Sequence, residues 1–139
     1  MAVVNFFSQG IKFNVKNPRR LSRWIQSTTK QEGSTPKEIN YIFCSDKYLL
    51  SINKQYLGHR TLTDIITFDN SEMPRLVESD IFISIERVKE NALALNQPFE
   101  TELRRVIIHG VLHLVGYGDK SLSQKSAMRK KEEAYLSLY

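Results

Sequence analysis

The stretch from Val106 to Val115 limits what this chain can become more than any other. It is an apolar run interrupted only by His109, Gly110 and His113, and its spacing suits a helix buried over most of its circumference. His109 and His113 stand four apart, so on a helix both imidazoles lie on one face, a turn from each other. Gly116 and Gly118 then end the helix, because glycine reaches the left-handed backbone region that closes a C-terminus. The reversal brings Asp119 back toward the two rings. Two neutral imidazoles and one carboxylate, with a fourth position left for water, are the donor pattern of a catalytic zinc ion. The plainer alternative is a pair of hydrogen-bonded core histidines, with Asp119 capping whatever follows. Buried imidazoles need partners either way, since an unpaired buried polar group costs roughly 1–3 kcal/mol. Gly110 favours the special site, because a mid-helix glycine costs about 1 kcal/mol relative to alanine and calls for a packing or functional reason.

The run His109-Gly-Val-Leu-His113-Leu-Val-Gly116-Tyr117 resembles the H-G-x-L-H-L-x-G-Y signature of the YbeY-type endoribonucleases. The likeness continues upstream through Thr63-Asp64-Ile65-Ile66-Thr67-Phe68 and Asp80-Ile81-Phe82-Ile83-Ser84, and downstream to Met128 and the pair Glu132-Glu133. It spans about the C-terminal two thirds of the chain. Two departures stand out. Where the family carries a third histidine, ten residues after His109, this chain has Asp119, which is still a metal donor. Where the family has an arginine after a tyrosine ahead of the T-[DN] strand, Leu57 follows Tyr56, which removes a phosphate-facing charge. Arg60 is a nearby substitute, offset by three residues. The resemblance implies a single-strand-specific endoribonuclease of ribosomal RNA maturation and ribosome quality control. Its partners would be ribosomal RNA and components of the ribosomal subunits, and its metal would lie in a cleft beside a sheet.

With 139 residues the chain has room for one domain, residues 1–139, with a real core. Its single cysteine, Cys44, sits in an apolar run, excludes an internal disulfide and reads as a small buried hydrophobe. A basic leader followed by an apolar stretch is absent, as is any run long enough to cross a membrane, so the expected location is the cytoplasm. The net charge of +5 is unevenly spread. Residues 1–31 carry Lys12, Lys16, Arg19, Arg20, Arg23 and Lys30 and no acid. A second basic group, Lys120, Lys125, Arg129, Lys130 and Lys131, follows directly after Asp119. Each is an ordinary solvated helix face when taken alone; beside a hydrolytic centre the pair suits an RNA backbone.

Periodicity divides the rest. Val3–Phe7 and the alternating Ile11–Val15 read as strand material around Gly10. A helix starts at Asn17-Pro18 and buries Leu21, Trp24 and Ile25. Glu38–Cys44 is a strand, and Ser45-Asp46 caps a helix that ends at Gly58. Thr63–Phe68 and Asp80–Ile85 make an antiparallel pair. Helices then cover Glu86–Leu95, Pro98 through the histidines, and a final segment capped by Ser121 or Ser123. The order β-α-β-α-β-β-α-α-α is not a doubly wound alternation, so the fold class is α+β: a mixed sheet of about four strands packed against helices, with the metal site on a buried helix. Asp64 and Asp80 are candidates to orient a metal-bound histidine.

The leading functional reading is therefore a metal-dependent RNA phosphodiester hydrolase with one Zn²⁺ on His109, His113 and Asp119. Nickel or manganese suits the same donors. No residue has a geometry forced enough to name it as general base. A zinc peptidase is the first rival, but its H-E-x-x-H motif places a glutamate where this chain has Gly110. The second rival is a non-catalytic ribosome-associated factor with a structural zinc.

Overall fold

A computed structural model describes residues 3–58 and 62–139. His59, Arg60 and Thr61 lie outside the described residues, and with them the substitution of Arg60 for the family arginine. The elements run β1 (Val4–Ser8), α1 (Pro18–Gln31), β2 (Thr35–Cys44), α2 (Asp46–Leu57), β3 (Ile65–Asp69), β4 (Leu76–Ser84), α3 (Ile85–Ala94), α4 (Phe99–Leu114) and α5 (Leu122–Leu136). The order matches the sequence reading, and the class is α+β. One four-stranded sheet is arranged β1-β2-β4-β3, with β1–β2 and β2–β4 parallel and β3–β4 antiparallel. The parallel pairs need crossovers, which α1 and the α2–β3 segment supply.

Strand alternation sends the two faces to different partners. Ile39, Tyr41 and Phe43 of β2 and Ile81 and Ile83 of β4 are buried in one core with Leu21, Trp24 and Ile25 of α1 and the apolar positions of α4. On the opposite face, Leu49 and Ile52 of α2 pack with Cys44 and Ile66 against Phe68 and Phe82. Burial together with Asp46 pushes the Cys44 thiol up to about 12, which removes its reactivity at neutral pH.

The helix that carries the histidines is largely enclosed, with Leu103, Val106, Ile107, Ile108, Val111 and Leu112 all buried. Each such side chain contributes roughly 1.5–3 kcal/mol over an exposed one. Gly110 is explained by packing. A Cβ there would come within 3.0 Å of Ile65 Cδ1 and 3.5 Å of Ile81, so the glycine lets α4 lie close on β3 and β4. Tyr41 ties the two layers by donating its hydroxyl to the Ile107 carbonyl at 3.0 Å.

Three expectations are corrected. Ile11–Val15 is not a strand: it has no sheet partner, and its alternation instead places Ile11, Phe13 and Val15 against the core. Asp80 is not at a strand start, because β4 begins four residues earlier at Leu76. Gly118 is not left-handed. Only Gly116 of the pair has a positive φ, 116°, whereas a Cβ on Gly118 would meet the Gln124 side-chain amide at 2.8–2.9 Å.

Candidate active site

The residues singled out in the sequence meet at one end of α4. His109, His113 and Asp119 line a single cleft of about 510 Å³ with Asp64, Lys120, Asn53 and residues of β3. The turn after α4 makes this possible. Gly116 donates to the His113 carbonyl (3.1 Å) and Tyr117 to that of Leu112 (3.0 Å), closing the helix and reversing the chain. Asp119 Oδ2 ends 3.5 Å from His109 Nε2. That is about the separation of two donors on one tetrahedral ion with bonds near 2.0–2.1 Å.

Both rings have their other nitrogen fixed. His109 Nδ1 lies 2.7 Å from Glu132 Oε2 of α5, and His113 Nδ1 lies 3.2 Å from the Tyr117 carbonyl. A carbonyl and a carboxylate accept only, so in the neutral form of each ring Nδ1 carries the proton and Nε2 is left with its lone pair. The rings differ in burial: His109 is half-buried, whereas His113 is exposed, against the expectation of two buried imidazoles. Among the described residues no three His, Cys, Asp or Glu side chains are gathered at metal-holding separations. All three candidate donors line the same cleft, but only His109 and Asp119 form a close pair, at 3.5 Å.

Behind the cleft lies a network that spacing alone did not single out. Arg105, one turn before His109, makes a bidentate contact with Glu102, Nε and Nη2 each at 2.7 Å. Its Nη1 reaches Glu132 Oε1 at 3.3 Å, and Nη2 lies 3.9 Å from Asp64 Oδ2. The chain Glu102–Arg105–Glu132–His109 thus links the interior of α4 to the ring at the cleft. Burial pushes the His109 pKa down, but Glu132 and Asp64 outweigh it and the net shift is upward. Asp64 is moved up by burial, against the pull of Arg105 and His109. A readable signal existed, since Arg105, His109 and His113 recur every four residues on one helical face.

Ser121 caps α5 through a capping box with Gln124, so Asp119 is not that cap. Asp64 is in the cleft, where Asn91 donates to it at 3.1 Å. Asp80 is not among the cleft residues; it accepts from Asn40 and Asn70 across the sheet. Arg20 is tied up, packing 4.2 Å from the Tyr139 ring and donating to its carbonyl.

A third cluster braces the turn from outside. Glu32, just past α1, accepts from Tyr117 (2.8 Å), Lys131 (3.2 Å) and Tyr135. Burial raises its pKa, but the hydrogen bonds outweigh that and hold it below its ordinary 4.5. A carboxylate with a lowered folded-state pKa adds stability above its unfolded value and loses it as pH falls through the folded one. Glu32→Gln is therefore expected to flatten the loss of stability below about pH 4.5. Chemical denaturation at stepped pH, against the unaltered chain, checks it; parallel curves would contradict it.

Comparison with known proteins agrees with this arrangement. The family model described as Endoribonuclease YbeY matches residues 5–139. The protein named Endoribonuclease YbeY of Flavobacterium psychrophilum is 50% identical over 133 residues, covering 96% of this chain and 94% of its own. Its namesake in Cytophaga hutchinsonii is 47% identical over 133 residues, covering 96% and 93%. The solution structure of TM1509 from Thermotoga maritima superposes with a TM-score of 0.66 at 28% identity, covering 96% of this chain and 87% of that one. With the family model spanning nearly its full length and both histidines of the signature in one cleft, the chain belongs to the endoribonuclease YbeY family.

Proposed function

We propose that this protein is a zinc-dependent, single-strand-specific endoribonuclease that acts in ribosomal RNA maturation and ribosome quality control in the cytoplasm. Family membership supports RNA cleavage. The observation that carries the zinc site is the fixing of both Nδ1 atoms, which leaves two Nε2 lone pairs at a cleft where Asp119 lies 3.5 Å from one of them. A carboxylate on the far side of a histidine is the usual support for a metal-bound imidazole, and Glu132 occupies that place. His109, His113 and Asp119 would hold the ion. Zinc there would polarise a phosphoryl oxygen and lower the pKa of water toward about 7.

The remaining work falls to the chain. Lys120 brings a positive charge to the rim for a backbone phosphate, and Arg105 holds Glu132 in register behind His109. Asp64 places a carboxyl group in the lining of the same cleft. The peptidase reading loses further ground, because the position after His109 faces Ile65 and Ile81 in the core, where no base reaches the cleft. No described helix is long and apolar enough to cross a membrane.

The test is cleavage of a single-stranded RNA and of casein by pure protein, each with and without chelator, with His113→Ala as control. RNA cleavage abolished by chelator and by the substitution is the expected outcome. Chelator-sensitive casein cleavage would support the peptidase instead. Inertness toward both, with zinc still needed for folding, would support the non-catalytic factor.

RNA affinity should be dominated by phosphate contacts. Arg19, Arg23 and Lys30 are exposed on α1, whereas Arg20 is engaged with Tyr139. Changing the first three to glutamate should weaken binding to all single strands alike and flatten the log–log salt slope by about 0.7 per lost contact. Unchanged affinity would remove α1 from the RNA surface.

A further inference from the structure

We infer that Glu32 is a positioning residue for the cleft, holding the turn that carries Asp119 through the hydroxyl of Tyr117. Only the activity arm of its test rests on the endoribonuclease reading. Tyr117 sits four residues after His113 and two before Asp119, and its two polar ends face different ways. Its carbonyl accepts from His113 Nδ1 and so sets that ring's tautomer. Its hydroxyl donates to Glu32 at 2.8 Å. Backbone hydrogen bonds from Gly116 and Tyr117 close the helix, but the two glycines that flank the tyrosine leave the backbone freer there, and the phenol adds a tether from outside.

The anchor is built rather than incidental. The Glu32 side chain is only 10% exposed and receives donors from both the turn and α5. Lys131 also lies 5.8 Å from the Tyr117 ring centre, bracing the same phenol. Lys131 is the neighbour of Glu132, so the clasp that fixes the turn also holds the stretch of α5 that grips His109. One carboxylate, 77 residues ahead of His109 in sequence, thus restrains the surroundings of all three donors.

Cutting individual arms of the cluster tests the inference. Glu32→Ala, Glu32→Gln, Tyr117→Phe and Tyr135→Phe are compared with the unaltered full chain, without added metal for exchange and tautomer and with zinc supplied for cleavage. Amide hydrogen exchange is followed at Val115–Asp119, the His113 tautomer by side-chain nitrogen shifts, and RNA cleavage in parallel. Glu32→Ala and Tyr117→Phe should each speed exchange in the turn by roughly tenfold or more, the scale of a hydrogen bond to a charged acceptor. Both should mix the His113 tautomers, while exchange within α4 stays unchanged. Glu32→Gln, which keeps an acceptor for the phenol, should restore most of the protection, and Tyr135→Phe should leave the turn as it was. In cleavage, kcat should fall while KM holds.

Turn exchange and tautomer at unaltered values in Glu32→Ala would overturn the inference. So would a uniform loss of protection in Glu32→Ala with a normal turn in Tyr117→Phe, the signature of a purely structural role. Should Glu32→Ala not fold, Tyr117→Phe decides alone. A parent protein inert toward RNA would defeat the functional reading yet leave the exchange result decisive.

Discussion

Asp119→Ala is expected to strip zinc from the purified protein and abolish RNA cleavage while leaving the fold in place. Its carboxylate lies 3.5 Å from His109 Nε2, and the helix that follows is capped by Ser121. Removing Asp119 therefore takes away the proposed donor and no cap. The affinity loss should exceed the roughly 10–100-fold that accompanies loss of a supporting partner, which is the range expected for Glu132→Gln. Asp119→Asn keeps the shape without the charge and should bind poorly as well. Asp119→His restores the family's usual donor and should retain zinc if the longer ring is accommodated by the turn at Gly116. Metal analysis by mass spectrometry, with melts in the presence and absence of chelator, separates these outcomes. Full zinc content in Asp119→Ala would remove it from the donor set.

Arg105→Ala should be the most destabilising single change near the site, by about 3–5 kcal/mol, the usual cost of leaving a buried charge without its partner. The side chains of Glu102 and Glu132 are 2% and 4% exposed, and Arg105 contacts both. Arg105→Lys keeps a charge but loses the two-pronged contact with Glu102, so it should recover only part of the loss. Urea unfolding at neutral pH measures both. The Lys variant should also weaken zinc binding, since Glu132 then lacks the partner that holds it toward His109. A loss below about 1 kcal/mol in Arg105→Ala would show that water replaces the guanidinium and that the network is not closed.

Local signals carried much of the fold. Pro18, Ser45, Gly58, Pro98 and Ser121 mark helix ends through backbone chemistry that acts within a few residues, and each lies at the boundary it announced. The strand pattern failed at Ile11–Val15, because alternation records which side chains are buried and not whether a neighbouring strand supplies hydrogen bonds. The same limit hid the early start of β4 at Leu76, where the first residues are paired with Thr35 and Pro36 across the sheet.

At the site, sequence alone determined what helical and turn geometry can deliver. His109 and His113 share a face because 3.6 residues make a turn, and the turn at Gly116 brings Asp119 within reach. Tertiary structure decided everything that depends on contacts between distant segments. It made Glu132, 23 residues beyond His109, that ring's partner, and chose Asp64 over Asp80 for the cleft. It also brought Glu32 to Tyr117 across 85 residues. The physical reason is range: backbone periodicity and caps act over a few residues, whereas a carboxylate's partner is set by how helices and strands pack, which no local pattern encodes.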